Sequence, residues 1–459
     1  MKRRALGRSI AASLAGVRAG GALAVDGALN KVLGRSEQED SRFARREARR
    51  LVTELGRLKG SYVKIGQIFA LLGEHFLPPV LTEALHELEA STEPLPWEDI
   101  VEQLQTSLGP RWAELEIETE AFAAASLAQV HRATIIATGE KICLKVQYPG
   151  LAGVIDADFD AVVRMLRLAR WLPAGRELDD WLESMRDYLH HEIDYRREAR
   201  LLQEMSGRVA ALGEVGSNFS VPRWYPEYSG AQVLAMEYLG GRSVTDGAVR
   251  RLSLARRNAL ATAMLDLFFF ELYEWGILQT DPNFGNYLIE LGSAGTADKL
   301  VLLDFGSMLE ASPDFLSHLR NLIAAGLEED EVGVVEGLIG LGCLQADASA
   351  QGRALFTEFC LHLLEPLRPP ERLPPEQLNR RRQYCWGHSN LMRRAGKKAA
   401  LSTTSGHFTT PSRDFALIAR KLTGVFTFIS VLGAEFNGHE TVIAHIARWR
   451  KREQHGKKG

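Results

Sequence analysis

Four cysteines in 459 residues are too few to staple a fold, and Cys143, Cys343, Cys360 and Cys385 stand too far apart for a CxxC or zinc-type pair. They read as ordinary reduced thiols. Long apolar runs are missing as well. The most apolar stretch, Ala259–Leu278, carries Asp266, Glu271 and Glu274. Those charges would be costly in lipid, so it reads as a buried helix rather than a membrane span. The opening residues lack the uninterrupted apolar run of a secretory signal, and no internal repeat is visible. A hydrophobic share of 46% with 25% charged residues excludes a wholly disordered chain, a collagen-like repeat and a miniprotein. The length fits two ordinary domains or one large two-lobed one.

The formal charge of −3 hides an asymmetry. Residues 1–58 hold 13 Lys/Arg against 6 Asp/Glu, a net of +7, so the rest carries −10. A basic, Ala/Gly/Ser-rich start fits an organelle transit peptide, a surface-binding segment or a solvated tail. Any contact with a membrane is expected to be peripheral, and no pattern points to nucleic acid.

The chain changes character along its length. Residues 1–40 read as a basic, loosely ordered segment. A helical extension covers 41–110, with helical runs over 41–73, 80–90 and 97–108 separated by Pro78-Pro79 and by Pro94 and Pro96. Residues 111–240 read as a first lobe with a hairpin, Val130–Ile136 and Lys141–Val146, turning at Gly139. One long helical tract is expected over Asp156–Ala211, then a short strand over Gln232–Met236. Residues 241–459 read as a helical second lobe with one β-rich interruption, Tyr287–Glu290 and Leu300–Asp304. The Pro-rich stretch 365–380 reads as a surface loop.

Chemistry concentrates in the second lobe. Asp281, then Asn286 five residues on, then Asp304-Phe305-Gly306 at a strand end is the arrangement protein-kinase folds use. A triphosphate needs Mg²⁺ to neutralise it, and Mg²⁺ takes hard oxygen ligands. Asn286 and Asp304 supply such oxygens, and Asp281 is placed to orient or deprotonate a nucleophile. A kinase-like site also needs a cation on a first-lobe strand, and Lys145 among apolar neighbours fits. An unpaired buried ammonium would be costly, so Lys145 requires an acid or a phosphate. Glu192, Asp194 and Glu198 are the acids on offer. At helical spacing Asp194 and Glu198 share a face and Glu192 points elsewhere. The strand-to-linker junction Met236–Leu239, with Met236, Glu237 and Leu239, is placed to meet an adenine base. No GxGxxG precedes the hairpin. Ala123, Ala124, Ala125 and Ser126 stand in its place, without the positive-φ freedom of glycine.

With these motifs in order, the chain resembles the UbiB/AarF/ADCK family of atypical protein-kinase-like proteins, the ABC1-type kinases. Lys64-Ile65-Gly66-Gln67 matches its KxGQ motif and Ala123–Ser126 its alanine-rich loop. Lys145 matches the nucleotide-binding lysine, Glu192-Ile193-Asp194 the ExD motif, Asp281–Asn286 the catalytic loop and Asp304–Gly306 the metal-binding motif. The resemblance implies an α+β, bilobal protein-kinase-like fold with a small β-containing N-lobe, a helical C-lobe and an N-terminal KxGQ extension folded across the acceptor side of the site. It also implies that Lys64 and Gln67 engage Glu192 and Asp194, leaving Glu198 for Lys145. The implied cofactors are ATP and Mg²⁺, with weak or no protein phosphorylation in trans. The implied setting is support of ubiquinone biosynthesis at a lipid or quinone-precursor surface, beside other quinone-biosynthesis enzymes. That surface is the cytoplasmic face of the inner membrane in a bacterium, or the matrix side in a mitochondrion. The loop reads SLAQVH where many members have SIGQVH, and DPNFGN falls between two family variants; neither change removes a ligand. A pseudokinase scaffold without significant catalysis is the alternative. A small-molecule phosphotransferase would share Asp281, Asn286 and Asp304 but not the KxGQ and alanine-rich motifs.

Overall fold

Residues that alternate in and out at a period of two must pair as strands to bury one face, and 128–147 do so around a tight turn. The computed structural model describes residues 37–58, 61–72, 77–86, 88, 94–168, 171–172, 176–293, 296–391, 393–394 and 412–456. Of the basic segment expected over 1–40, residues 1–36 lie outside them, and 37–40 are not loosely ordered but begin a helix. The chain divides into two compact units, Met1–Arg200 with Arg223–Tyr238, and Leu201–Pro222 with Leu239–Gly459.

The first unit opens with four helices, α1 (Glu37–Leu58), α2 (Ser61–Leu72), α3 (Pro79–His86) and α4 (Trp97–Leu108). Pro79 begins α3, where its missing N–H costs no intrahelical bond. Strands β1 (Leu115–Ile117), β2 (Ala123–Ala124), β3 (Ala128–Ile135) and β4 (Lys141–Gln147) follow. Gly139, at φ 70°, makes the β3–β4 turn, donating its N–H to the Ile135 carbonyl. The long tract expected over 156–211 is three helices, α5 (Ile155–Leu168), α6 (Arg176–Glu192) and α7 (Tyr195–Ala210). The chain then supplies β5 (Phe219–Ser220) to the second unit and returns as β6 (Val233–Glu237). The sheet runs β1-β3-β4-β6, all antiparallel, with β2 also on β3. Ile142, Leu144 and Val146 bury one face of β4 against Ile100 and Leu104 of α4 and Tyr225 and Tyr228. Alternation therefore turns Lys145 to the other face.

The second unit holds α8 (Gly247–Arg250) and α9 (Leu254–Phe269), which is capped by the Ser253 hydroxyl and buried along its second half from Leu260 on. A π turn, Phe270–Trp275, ends at Gly276 in the left-handed region, φ 68°. Strand β7 (Ile277–Gln279) follows, with β8 (Tyr287–Glu290), β9 (Lys299–Leu302) and β10 (Met308–Glu310). β10 pairs with β7, while β9 pairs antiparallel with β8 and parallel with β5. That pairing explains why residues 201–222 belong to this unit, although chain order put them in the first lobe. The sequence expectation had one β interruption here; β7 and β10 are short strands hidden inside apolar sequence. Helices α10 (Pro313–Glu328), α11 (Glu331–Gly340), α12 (Ala350–Leu363), α13 (Arg413–Val431) and α14 (Gly438–Gly456) complete the unit. Residues 365–380 are not simply a surface loop. Glu365, Pro366 and Leu367 are buried, and the Glu365 carboxylate accepts from Tyr384 at 2.8 Å and from Arg394 at 2.7 Å.

Candidate active site

Strand alternation places Lys145 among polar company in the first unit. Its ammonium donates to Glu198 Oε1 at 2.7 Å, with the two side chains 17% and 2% exposed. The Tyr195 ring lies 5.4 Å from the ammonium. Glu198 reaches that position because α7 starts afresh after Glu192. The expectation that Asp194 and Glu198 share one continuous face is corrected by this break. Asp194 instead caps α7, its Oδ1 accepting the N–H groups of Arg196 at 3.1 Å and Arg197 at 3.0 Å. Glu192 ends α6 and pairs with Lys64 of α2 at 2.8 Å, both largely buried at 17% and 15% exposure. Gln67 lies on the same helix, half-buried. At Gly66 an added Cβ would lie 2.4 Å from Leu88 Cδ1, so glycine permits the close seat of α2.

Gln147, which the sequence did not mark, ties these parts together. Its side-chain amide donates to the Ile193 carbonyl in the ExD turn, and its own carbonyl accepts from Gln103 of α4. Gln129 and His131 form a second buried polar set. His131 Nδ1 faces the Glu118 carbonyl at 2.8 Å, which can only accept, so Nδ1 carries the proton. Nε2 then accepts from Gln129 Nε2 at 2.9 Å, and the Gln129 amide also bonds the Leu95 backbone. Burial holds the imidazole below its ordinary pKa, against the opposing bond to Glu118.

The alanine-rich loop is a turn made without any left-handed residue. Ala123 and Ala124 pair with Val130 and Gln129, and the Ala125 N–H donates to the Ala128 carbonyl at 2.8 Å. Ser126 is buried, and Tyr148 donates its hydroxyl to the Ala125 carbonyl at 3.0 Å. At the end of β6, Met236 is buried. The Glu237 N–H goes to the Arg223 carbonyl at 2.8 Å and the Tyr238 N–H to the Lys141 carbonyl at 3.2 Å. Those two donors are therefore already engaged, while Leu239 belongs to the second unit.

In the second unit the pairing of β7 with β10 brings the two halves of the Asp/Asn/Asp set to one end. The Thr280 N–H and hydroxyl both donate to the Ser307 carbonyl at 2.9 Å, joining the residue before Asp281 to the residue after Gly306. The Leu303 N–H donates to the Asn286 carbonyl at 3.0 Å. Asn286 Nδ2 donates to Asp281 Oδ2 at 3.0 Å, which turns its Oδ1 into the atom able to ligate a cation. Asp304 Oδ1 accepts the Gly306 N–H at 2.8 Å. These are hard oxygen donors of the kind Mg²⁺ takes. Among the described residues no group of three or more His, Cys, Asp or Glu could hold a metal by itself.

Residues 87–338 match the family model described as the ABC1 atypical kinase-like domain. The chain belongs to this family. It is 30% identical over 321 residues to the mitochondrial atypical kinase COQ8 of Saccharomyces cerevisiae, covering 70% of this chain and 62% of the relative. It is 27% identical over 387 residues to the mitochondrial atypical kinase COQ8 of Schizosaccharomyces pombe, covering 84% of this chain and 60% of the relative. The chain thus spans less than two thirds of the length of these relatives. Among solved structures, an Rv3197–erythromycin complex from Mycobacterium tuberculosis matches with a TM-score of 0.57 and 21% identity, over 88% of this chain and 97% of that one. The family match makes the fold kinase-like, and its α+β character agrees with this likeness: a small antiparallel sheet in the first unit and mostly helix in the second. Among the described residues no helix is long and apolar enough to cross a membrane.

Proposed function

We propose that this chain is an ATP-binding, Mg²⁺-dependent atypical kinase or ATPase that supports ubiquinone biosynthesis at a membrane surface, with weak or no phosphorylation of other proteins. The observation that carries the reading is the Lys145–Glu198 pair at 2.7 Å, since a nearly buried carboxylate fixes the ammonium where phosphates would be met. Lys145 binds the nucleotide phosphates and Glu198 orients it. Asn286 and Asp304 hold Mg²⁺, which when bound supplies positive charge to the phosphates. Asp281 orients the nucleophile or accepts its proton. Ala123–Ser126 cover the nucleotide, and Met236, Glu237 and Leu239 lie beside the base. Lys64, Gly66, Gln67, Glu192 and Asp194 restrain the site as its regulatory set. The mitochondrial names of the relatives favour the matrix side of an organelle membrane, the counterpart in a bacterium being the cytoplasmic face of the inner membrane.

Asp304→Asn tests the reading. It removes a principal anionic ligand while the phosphates stay charged, so a thermal-shift titration with Mg²⁺-ATP should lose its midpoint increase, with the unliganded midpoint kept. A wild-type increase in the variant would overturn the site.

A further inference from the structure

The catalytic loop Asp281–Asn286 contains no basic residue, yet its aspartate has a cationic neighbour. Arg420 of α13 lies 3.6 Å from Asp281 Oδ1, the same oxygen that accepts the Asn283 N–H at 3.4 Å. The other oxygen accepts from Asn286. The carboxylate is thus held on both sides, once by its own loop and once by a helix far along the chain.

Three further contacts join α13 to the loop. Lys421, 1% exposed, donates to the Tyr287 hydroxyl at 2.7 Å and faces Glu271 of the π turn at 3.3 Å. Tyr287 follows Asn286 directly, and its hydroxyl donates to Gln279 at 3.0 Å, just before the loop. Phe428 meets the rings of Phe284 at 5.8 Å and Tyr287 at 6.2 Å. At Gly424 an added Cβ would lie 2.0 Å from Pro282 Cβ, and proline cannot swing aside. Asp281, Pro282 and Phe284 of the loop, and Tyr287 directly after it, therefore all meet one helix, and that helix lies outside the matched span 87–338.

We infer that α13 is the strut that sets the catalytic loop and that Arg420 is the positioning residue for Asp281. The inference rests on the proposed role of Asp281 and adds what holds that carboxylate in place. Gly424 lets the strut approach, and the buried Lys421 fixes its height through Tyr287. Arg420 itself is part-exposed, so its removal leaves the buried contacts intact and should not unfold the unit.

The test compares wild type with Arg420→Ala, Arg420→Lys and Gly424→Ala in the full chain, reading Mg²⁺-ATP turnover, Mg²⁺-ATP affinity and hydrogen exchange of residues 283–286. Arg420→Ala should lower turnover about tenfold with affinity kept within about twofold, since a misplaced group costs rate rather than binding. Its loop amides should exchange faster while those of α13 keep their protection. Arg420→Lys should recover most of the turnover, and Gly424→Ala should loosen the loop without touching either charge. Wild-type exchange across 283–286 in both Arg420→Ala and Gly424→Ala would overturn the inference, whatever their turnover. If wild type neither binds nor turns over Mg²⁺-ATP, the proposed function falls, and the exchange of the loop alone still decides whether α13 holds it.

Discussion

A buried thiol loses the hydration its thiolate needs, and three of the four cysteines are in that position. Burial pushes Cys143 up to about 11 and both Cys343 and Cys360 up to about 12. Cys385 is raised too, again by burial, yet it remains part-exposed. Reactivity follows thiolate fraction and access together. Brief alkylation of the folded protein at pH 8 should therefore modify Cys385 first. Cys143, Cys343 and Cys360 should react only after denaturation, as peptide mass spectrometry would read directly. Rapid modification of Cys360 in the native protein would contradict its burial. The reading of four unpaired thiols needed only their spacing, whereas the difference between Cys385 and the others comes from packing that spacing does not contain.

At the scale of elements, what was legible depended on whether a residue acts within its own segment. The hairpin carrying Lys145, the strand ending before Asp304 and α4 all follow from local pattern and turn chemistry. The break between α6 and α7 does not, because Glu192-Ile193-Asp194 is as helix-compatible as its flanks. It is made by Asp194 capping α7 and by the Gln147 amide taking the Ile193 carbonyl, a partner 46 residues away. Arg420 and Lys421 were illegible for the same reason; on an amphipathic helix nothing local marks them. The same logic bears on α2. Lys64 is anchored to the end of α6 through Glu192, and Ser61 of α2 donates to the buried Asp158 of α5. Removing one member of a largely buried ion pair strands the other, so Lys64→Ala should destabilise this corner by about 3 kcal/mol. Hydrogen exchange across 61–72 should rise while α4 keeps its protection. Unchanged exchange in that span would make Lys64 a bystander on a helix held by its apolar face.

For the molecule as a whole, acid should act on the two units in a definite order. His131, in the first unit, is held neutral with its pKa below 6.5, chiefly by burial. Glu365, in the second, is below its ordinary 4.5: burial opposes this, and the bonds from Arg394 and Tyr384 outweigh it. Both folded-state values are depressed, so each group contributes stability that is present above its unfolded pKa and lost as pH falls through the folded one. For His131 the loss begins below about 6.5, because protonation would set an Nε2–H against the donating amide of Gln129. For Glu365 it begins only below about 4.5, when the carboxylate loses its charge. Hydrogen exchange measured from pH 7 downward, corrected for intrinsic rates, should therefore show β3 losing protection before the 365–394 region does. His131→Phe separates this from general acid sensitivity. It should cost about 1–3 kcal/mol near neutral pH, where Gln129 and the Glu118 carbonyl lose their partner, and less in acid, where wild type has already lost that contribution. It should also remove the early step in β3 while leaving the later one in place. An early step that survives in His131→Phe would assign the first loss to some other group.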